Sequence, residues 1–184
     1  MKINWVFAST WAPDPELDLE KLYEIGPSWG SWKNWRTCGT HNVICHDMTR
    51  SRTLIERQFQ TKCNLYVPQQ HYGLLGRPGQ IQLYNGDFQQ ATVEIEDIVA
   101  VHLALANSDI VLMTGFDLGD QDSFANTSEK VKWRNQMGLL SSAIRSAVDV
   151  QFVLIDHPSQ PGLTFAELPN LTCDKLQNVL QLLH

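Results

Sequence analysis

The sequence predicts an α/β fold with a doubly wound, mainly parallel sheet of five or six strands and helices on both faces. Short apolar, β-branched runs alternate with longer amphipathic stretches, which is the pattern of βαβ units. The runs at residues 110–113 and 152–155 are almost wholly apolar, as strands buried on both faces are. The length of 184 residues and the 43% of hydrophobic residues fit a single domain over residues 1–184 that buries its own core.

Each predicted element follows from its periodicity. Strands are predicted at residues 3–9, 42–46, 64–67, 81–84, 109–114 and 150–156. Apolar residues at helical spacing predict helices within residues 95–105, 133–148 and 176–183, with a weaker helix over residues 50–60. Thr172 is expected to cap the last helix. Residues 10–42 are rich in aromatic side chains, but they show little periodicity.

Composition excludes several classes of partner. The net charge is −6, with 14 basic and 20 acidic residues, which disfavours a general binder of duplex DNA or of RNA and binding to an anionic membrane surface, and leaves a local basic patch open. No apolar run approaches the roughly 20 residues of a membrane span, and the first residues do not form a convincing signal peptide. The cysteines at 38, 45, 63 and 173 are scattered, which predicts free thiols and a cytoplasmic location.

The loop at residues 114–122 follows the most apolar predicted strand. In open α/β sheets, ligands bind outside the carboxyl ends of the strands. Gly115 removes a side chain where the chain turns or admits a ligand, and Asp117 is a candidate to hold a ribose hydroxyl or a hydrated Mg²⁺. Asp120 and Asp122 make the loop more acidic. The alternative is a solvated loop whose aspartates cap turns.

Gly26, Pro27 and Ser28 form a second candidate loop. Glycine lets the backbone approach a ligand closely, and a loop that enters a helix offers free N–H groups to a phosphate. The segment matches neither the Walker A motif nor Gly-x-Gly-x-x-Gly. A tight turn with a serine cap is the alternative. If both loops bind one ligand, they must lie at the same edge of the sheet.

Two predicted strands end in a histidine beside an aspartate, and three of these residues are candidates for acid/base catalysis: His46, Asp47 and His157. Capping of the following helix is the alternative for each of them. Cys38, His41, Cys45 and His46 have a poor spacing for zinc, so no metal ligand is assigned.

Trp29, Trp32 and Trp35 recur at three-residue spacing among Lys33 and Arg36. Such a set can stack on a nucleobase or form a surface for a protein partner. The same spacing also fits one buried stripe of a helix.

The segment 109–118, Asp-Ile-Val-Leu-Met-Thr-Gly-Phe-Asp-Leu, resembles the strand and Gly-Phe-Asp-Leu motif of the MptE-like (DUF115) family. That family includes 6-hydroxymethylpterin pyrophosphokinase-like and motility-associated glycosyltransferase-like proteins. The segment is also similar to the corresponding strand of bacterial sialyltransferases related to the lipooligosaccharide enzymes. Gly26-Pro27-Ser28 looks like the family's N-terminal loop, although Ile25 stands where the family has asparagine.

The resemblance implies a Rossmann-like protein that binds a nucleotide or nucleotide sugar, such as a small glycosyl- or pyrophosphoryl-transferase. It implies that Gly26, Pro27 and Ser28 hold phosphates while Asp117 holds ribose or metal. The alternative is a non-catalytic interaction or structural protein, viral or accessory, that keeps the fold without the activity. In that case the aromatic residues near the N-terminus form the partner surface.

Overall fold

The computed structural model describes residues 1–85, 93–118, 127–156 and 163–183. Within these residues, eight strands form one sheet in which every neighbouring pair is parallel. The strands are β1 (Ile3–Phe7), β2 (Ser28–Ser31), β3 (Asn42–Ile44), β4 (Asn64–Pro68), β5 (Ile81–Tyr84), β6 (Ile110–Thr114), β7 (Gln151–Ile155) and β8 (Leu171–Asp174). Their order across the sheet is β5-β4-β3-β2-β1-β6-β7-β8.

Helices cover both faces of this sheet. The described residues form helices α1 (Leu19–Ile25), α2 (Trp32–Cys38), α3 (Met48–Glu56), α4 (Val93–Leu105), α5 (Thr127–Ser146), α6 (Leu163–Ala166) and α7 (Leu176–Leu183). One face packs against α4, α5 and α6, and the other packs against α1, α2, α3 and α7. The predicted doubly wound α/β fold is thereby confirmed, with eight strands instead of five or six. No helix among the described residues is both long and apolar enough to cross a membrane.

All six predicted strands are present, and four of them are one or two residues shorter than expected. The sequence missed β2, whose Ser-Trp-Gly-Ser has low β-propensity, and β8, a polar strand at the edge of the sheet. Thr172 therefore lies in a strand, and its prediction as a helix cap is wrong. Asp156 accepts a hydrogen bond from the first N–H of α7 instead (3.1 Å).

The strands bury alternate side chains on the two faces, as the two-residue period of a strand requires. In β6, Val111 and Met113 pack toward α4 and α5, whereas Leu112 packs toward α1 and α7. Residues 111–114 are all buried, and β6 lies between β1 and β7. The prediction that residues 110–113 form an interior strand is confirmed.

The tryptophans do not form a single helical stripe, contrary to one interpretation of their spacing. Trp29 is in β2 and packs with Tyr66 on the side of the sheet that α4 covers. Trp32 and Trp35 are in α2 on the opposite face. The chain changes from strand to helix between them because Ser31 and Asn34 form a capping box that starts α2.

Candidate functional site

The first candidate site lies where the order of the strands reverses. β1 pairs with β2 on one side and with β6 on the other, and later strands are added outward in opposite directions. The loops after β1 and β6 therefore leave the sheet side by side and then run in opposite directions. Open α/β sheets form a ligand-binding crevice between two such loops. A cavity of about 180 Å³ opens there, lined by both loops and by α4 and α5.

Hydrogen bonds fasten these two loops together. The N–H of Ala8 donates to the carbonyl of Thr114 (2.9 Å), and the hydroxyl of Thr10 donates to the carbonyl of Gly115 (3.1 Å). Gly115 has a φ of +77°, and a Cβ at this position would collide with Trp11. Glycine is therefore required at residue 115 by the turn and by Trp11 of the same chain, whether or not a ligand is bound.

Asp97 joins α4 to the loop after β1. Its carboxylate accepts hydrogen bonds from the N–H of Ser9 (2.8 Å) and from the Ser9 hydroxyl (3.0 Å), and it lines the cavity. Asp97 was not among the residues predicted from the sequence. Its role could have been inferred from the composition of α4, because a helix that is apolar on nearly every side buries a carboxylate near its beginning. A buried carboxylate needs hydrogen-bond donors.

Asp117 lies at the mouth of the same cavity. Its neighbours Phe116 and Leu118 are buried and anchor the loop, whereas Asp117 itself is exposed. Gly115 and Asp117 thus lie at the carboxyl end of a buried strand, where the sequence placed them. The role of Asp117 toward a ligand stays a prediction.

Gly26, Pro27 and Ser28 lie at the opposite edge of the sheet. Ser28 is the first residue of β2, and the carbonyl of Pro27 accepts a hydrogen bond from the N–H of Trp5 (2.9 Å). The Ser28 hydroxyl is fully buried and lies 2.8 Å from Nδ1 of His41. The expectation that this loop shares an edge with Asp117 is wrong, because the segment enters a strand from its amino end instead of leaving one.

A second polar cluster lies at the carboxyl end of β3. His46 is buried, and its Nδ1 lies 2.7 Å from the hydroxyl of Tyr84 at the end of β5. The backbone N–H of His46 donates to Oε1 of Glu96 in α4 (2.9 Å). Burial raises the pKa of the Tyr84 hydroxyl, with a further contribution from the nearby Glu96. The tyrosine therefore keeps its proton and remains able to donate it in a hydrogen bond.

Glu96 is the most unusual group of this second cluster. Its side chain is almost completely buried, and within the described residues its Oε2 has no hydrogen-bond partner. Arg50 lies 3.9 Å from Oε1. Burial raises the pKa of Glu96 to about 7, against the opposing effects of the His46 N–H and of Arg50. A carboxyl group that exchanges its proton near neutral pH is the kind of group that acid/base chemistry uses.

The structure separates the predicted acid/base residues from the predicted ligand residue. Asp47 caps α3, because its Oδ1 accepts a hydrogen bond from the N–H of Arg50 (2.6 Å), which is the alternative that the sequence left open. β3 and β6 are three strand spacings apart, or about 14 Å. His46 and Asp47 are therefore not adjacent to Asp117. His157, like Asp120 and Asp122, falls outside the described residues.

The four cysteines are free thiols in the structure. Cys45 packs among Val43 and Leu65 on one face of the sheet, whereas His46 contacts Tyr84 on the other, so this pair does not converge on one point. In the part of the chain that is described, no three His, Cys, Asp or Glu side chains form a group able to hold a metal ion.

We expect native protein to react with a thiol reagent first at Cys173, which is exposed, and much more slowly at Cys38 and Cys45, which are buried. Burial also raises the pKa of Cys45, which lowers its thiolate fraction further. Titration before and after denaturation measures this, with four thiols expected in the denatured protein. A bound equivalent of zinc, or fewer than four thiols, would contradict the assignment.

Comparison with models of known protein families finds no match, and comparison with curated proteins finds none either. The fold and the site define the class instead. The chain is an α/β protein with a Rossmann-like, doubly wound parallel sheet and a small, mostly apolar cavity at its topological switch point.

Proposed function

We propose that the protein binds a nucleotide or nucleotide sugar at the carboxyl edge between β1 and β6. The observation that carries the proposal is the convergence of the β1 loop, the β6 loop and the start of α4 on one cavity at the switch point, with Asp117 exposed at its mouth. Ligands of this class bind at such positions in open α/β sheets.

In this proposal the loop after β1 has the phosphate-binding role that the sequence suggested for the Gly-Pro-Ser segment. Ser9 and Thr10 follow β1 directly, and the Thr10 side chain is exposed beside Gly115. In this proposal the exposed Thr10 hydroxyl exchanges its hydrogen bond to the Gly115 carbonyl for one to a phosphate oxygen, while Asp117 accepts hydrogen bonds from ribose or holds a hydrated Mg²⁺.

We extend the proposal to a small glycosyl- or pyrophosphoryl-transferase because the Gly-Phe-Asp-Leu segment resembles that of the MptE-like family. Such a reaction depends mainly on positioning and electrostatic stabilisation. His46 and His157 stay the acid/base candidates of this proposal, where His46 follows β3, three strands from β6, and His157 falls outside the described residues. The free thiols fit a reducing, cytoplasmic location.

A thermal-shift screen with nucleoside diphosphates and nucleotide sugars, with and without Mg²⁺, tests binding. A ligand at about 100 times its dissociation constant stabilises the folded state by about 2.7 kcal/mol, or several degrees in Tm for a domain of this size. A wild-type protein that none of these compounds stabilises would overturn the proposal.

Asp117→Asn tests the site residue. The substitution preserves size and removes charge, so we expect the fold to survive and the affinity to fall by roughly ten- to a hundredfold, or about 1.5–3 kcal/mol. Isothermal titration with the best ligand of the screen measures it. Asp149→Asn, an exposed aspartate at the amino end of β7, is the matched control and should bind as the wild type does. Equal affinity of Asp117→Asn and wild type would remove Asp117 from the site.

A non-catalytic interaction protein is the second candidate function, and two observations favour it. The cavity at the switch point is smaller than the roughly 300–1,000 Å³ of most ligand pockets. Asp47 is also engaged as a helix cap. Failure of every nucleotide in the thermal-shift screen would favour this candidate.

A further inference from the structure

The basic residues of this acidic protein are concentrated in one part of the chain. Residues 25–85 contain only two acidic residues, Asp47 and Glu56, in a chain whose net charge is −6. The same segment contains seven basic residues: Lys33, Arg36, Arg50, Arg52, Arg57, Lys62 and Arg77. These residues lie in α2, in α3 and in the loops between α3 and β5, next to the half of the sheet that β2–β5 form.

A groove between α2 and α3 collects four of these cations. Its volume is about 710 Å³, and its walls include Arg36, Arg50, Arg57 and Lys62. Within the described ranges, no carboxylate lies within ion-pair distance of Arg36, Arg57 or Lys62. Among the described residues that line the groove, the one carboxylate is that of Asp47, which caps α3. The groove therefore has a positive potential that an anion would neutralise.

Trp32 forms part of this groove and holds two of the cations in place. The guanidinium of Arg36 lies 5.3 Å from the centroid of the Trp32 ring, and that of Arg50 lies 5.1 Å from it. The indole N–H of Trp32 is buried and has no hydrogen-bond partner within the described residues. A buried donor without an acceptor is uncommon in native proteins, and a ligand in the groove reaches this N–H only if the Trp32 side chain turns.

We infer that the α2–α3 groove binds the sugar-phosphate backbone of a single-stranded nucleic acid. Phosphates pair with Arg36, Arg57 and Lys62, and the Trp32 side chain turns so that its N–H donates to an acceptor oxygen of the strand. Single-strand sites combine a positive groove with aromatic rings and arginine in this way. The nine residues of α3 give the groove a length of about 13 Å, enough for a few nucleotides.

A single strand fits this groove better than a duplex or an acidic protein does. Two helices border a concave channel, whereas duplex readers insert a projecting helix, ribbon or arm into a groove of the DNA. Outside the basic groove the protein is acidic, with a net charge of −6 for the whole chain. This acidic surface repels the dense negative charge of a duplex. An acidic peptide would satisfy the cations, but it brings no bases to stack on rings or guanidinium planes.

Fluorescence anisotropy with labelled oligo-dT and oligo-U of about 12 nucleotides, at about 50 mM salt, tests this inference. We expect binding that weakens steeply with salt, and the tighter of the two strands identifies DNA or RNA as the natural backbone. The double substitution Arg57→Gln with Lys62→Gln should lower affinity roughly tenfold and reduce the salt slope by about 1.4. Both side chains are exposed, so the fold should be retained.

The matched control is Lys21→Gln with Lys175→Gln, which removes two exposed cations outside the groove. This variant should bind as the wild type does. Trp32→Phe keeps a smaller aromatic ring beside Arg36 and Arg50 and removes the N–H, and it should weaken binding without changing the salt slope. Absence of binding, equal losses in the control, or equally tight binding of a duplex or of polyglutamate would each overturn the inference. Nucleotide binding at the β1–β6 cavity is measured separately and does not depend on this result.

Discussion

Gly26→Ala is expected to destabilise the protein by about 3 kcal/mol, which corresponds to about 6–12 °C in Tm. A Cβ on residue 26 would collide with the carbonyl oxygen of Ile3 and would lie 2.9 Å from its carbonyl carbon. Both atoms are backbone of β1, which is held between β2 and β6, so neither can move without disturbing the centre of the sheet. Urea and thermal unfolding measure the effect.

Gly73→Ala is the matched control for this substitution. No heavy atom lies within 4 Å of the position that its Cβ would occupy, so its stability should change by no more than about 0.5 kcal/mol. If Gly26→Ala folds as stably as Gly73→Ala, the close approach between the start of β2 and β1 is incorrect. A loss of nucleotide binding without a loss of stability would instead restore the phosphate-binding role that the sequence suggested.

Gly26 illustrates that a short motif can indicate the need for glycine without indicating where in the fold the residue lies. The sequence suggested that glycine at residue 26 lets the backbone approach a ligand closely, and the structure has a close approach to another strand instead. The partner is Ile3, 23 positions earlier in the chain, and no local pattern identifies it. β2 was missed for a related reason, since its short Ser-Trp-Gly-Ser becomes a strand through pairing with β1 and β3.

The positions of Gly115 and Asp117 in the candidate site depend on local sequence, and they were predicted correctly. An apolar strand followed by glycine and aspartate placed Gly115 and Asp117 at the carboxyl edge without any tertiary information. Asp97 and Glu96 were missed because α4 crosses the sheet from β5 to β6 and brings their carboxylates to the loops after β1 and β3. Such contacts span 50 to 88 residues of sequence, so they follow from topology and not from a motif.

Glu96 makes the stability of the folded protein depend on pH in an identifiable window. Burial raises the pKa of this carboxyl from its ordinary value of 4.5 to about 7 in the folded state. The folded protein therefore binds the Glu96 proton more tightly than the unfolded chain does. The resulting stabilisation is fully present below about pH 4.5 and is lost as the pH rises through 7.

Glu96→Gln should remove this dependence, because the amide is neutral at every pH and its oxygen still accepts the hydrogen bond from the His46 N–H. The free energy of unfolding of the variant, relative to the wild type, should rise by about 2 kcal/mol between about pH 5 and pH 8. Urea unfolding at several pH values measures this difference, and the comparison cancels the titration of all other groups.

Glu56→Gln, on the exposed side of α3, is the matched control and should show a pH-independent difference from the wild type. A constant difference for Glu96→Gln as well would mean that Glu96 stays ionised in the folded protein. Arg50, 3.9 Å from Oε1, would then outweigh the effect of burial. A rising difference means that burial dominates, since a carboxylate with one oxygen unpaired in the protein interior is costly until it binds a proton. In that case the His46–Tyr84–Glu96 cluster contains a group that takes up and releases a proton near neutral pH.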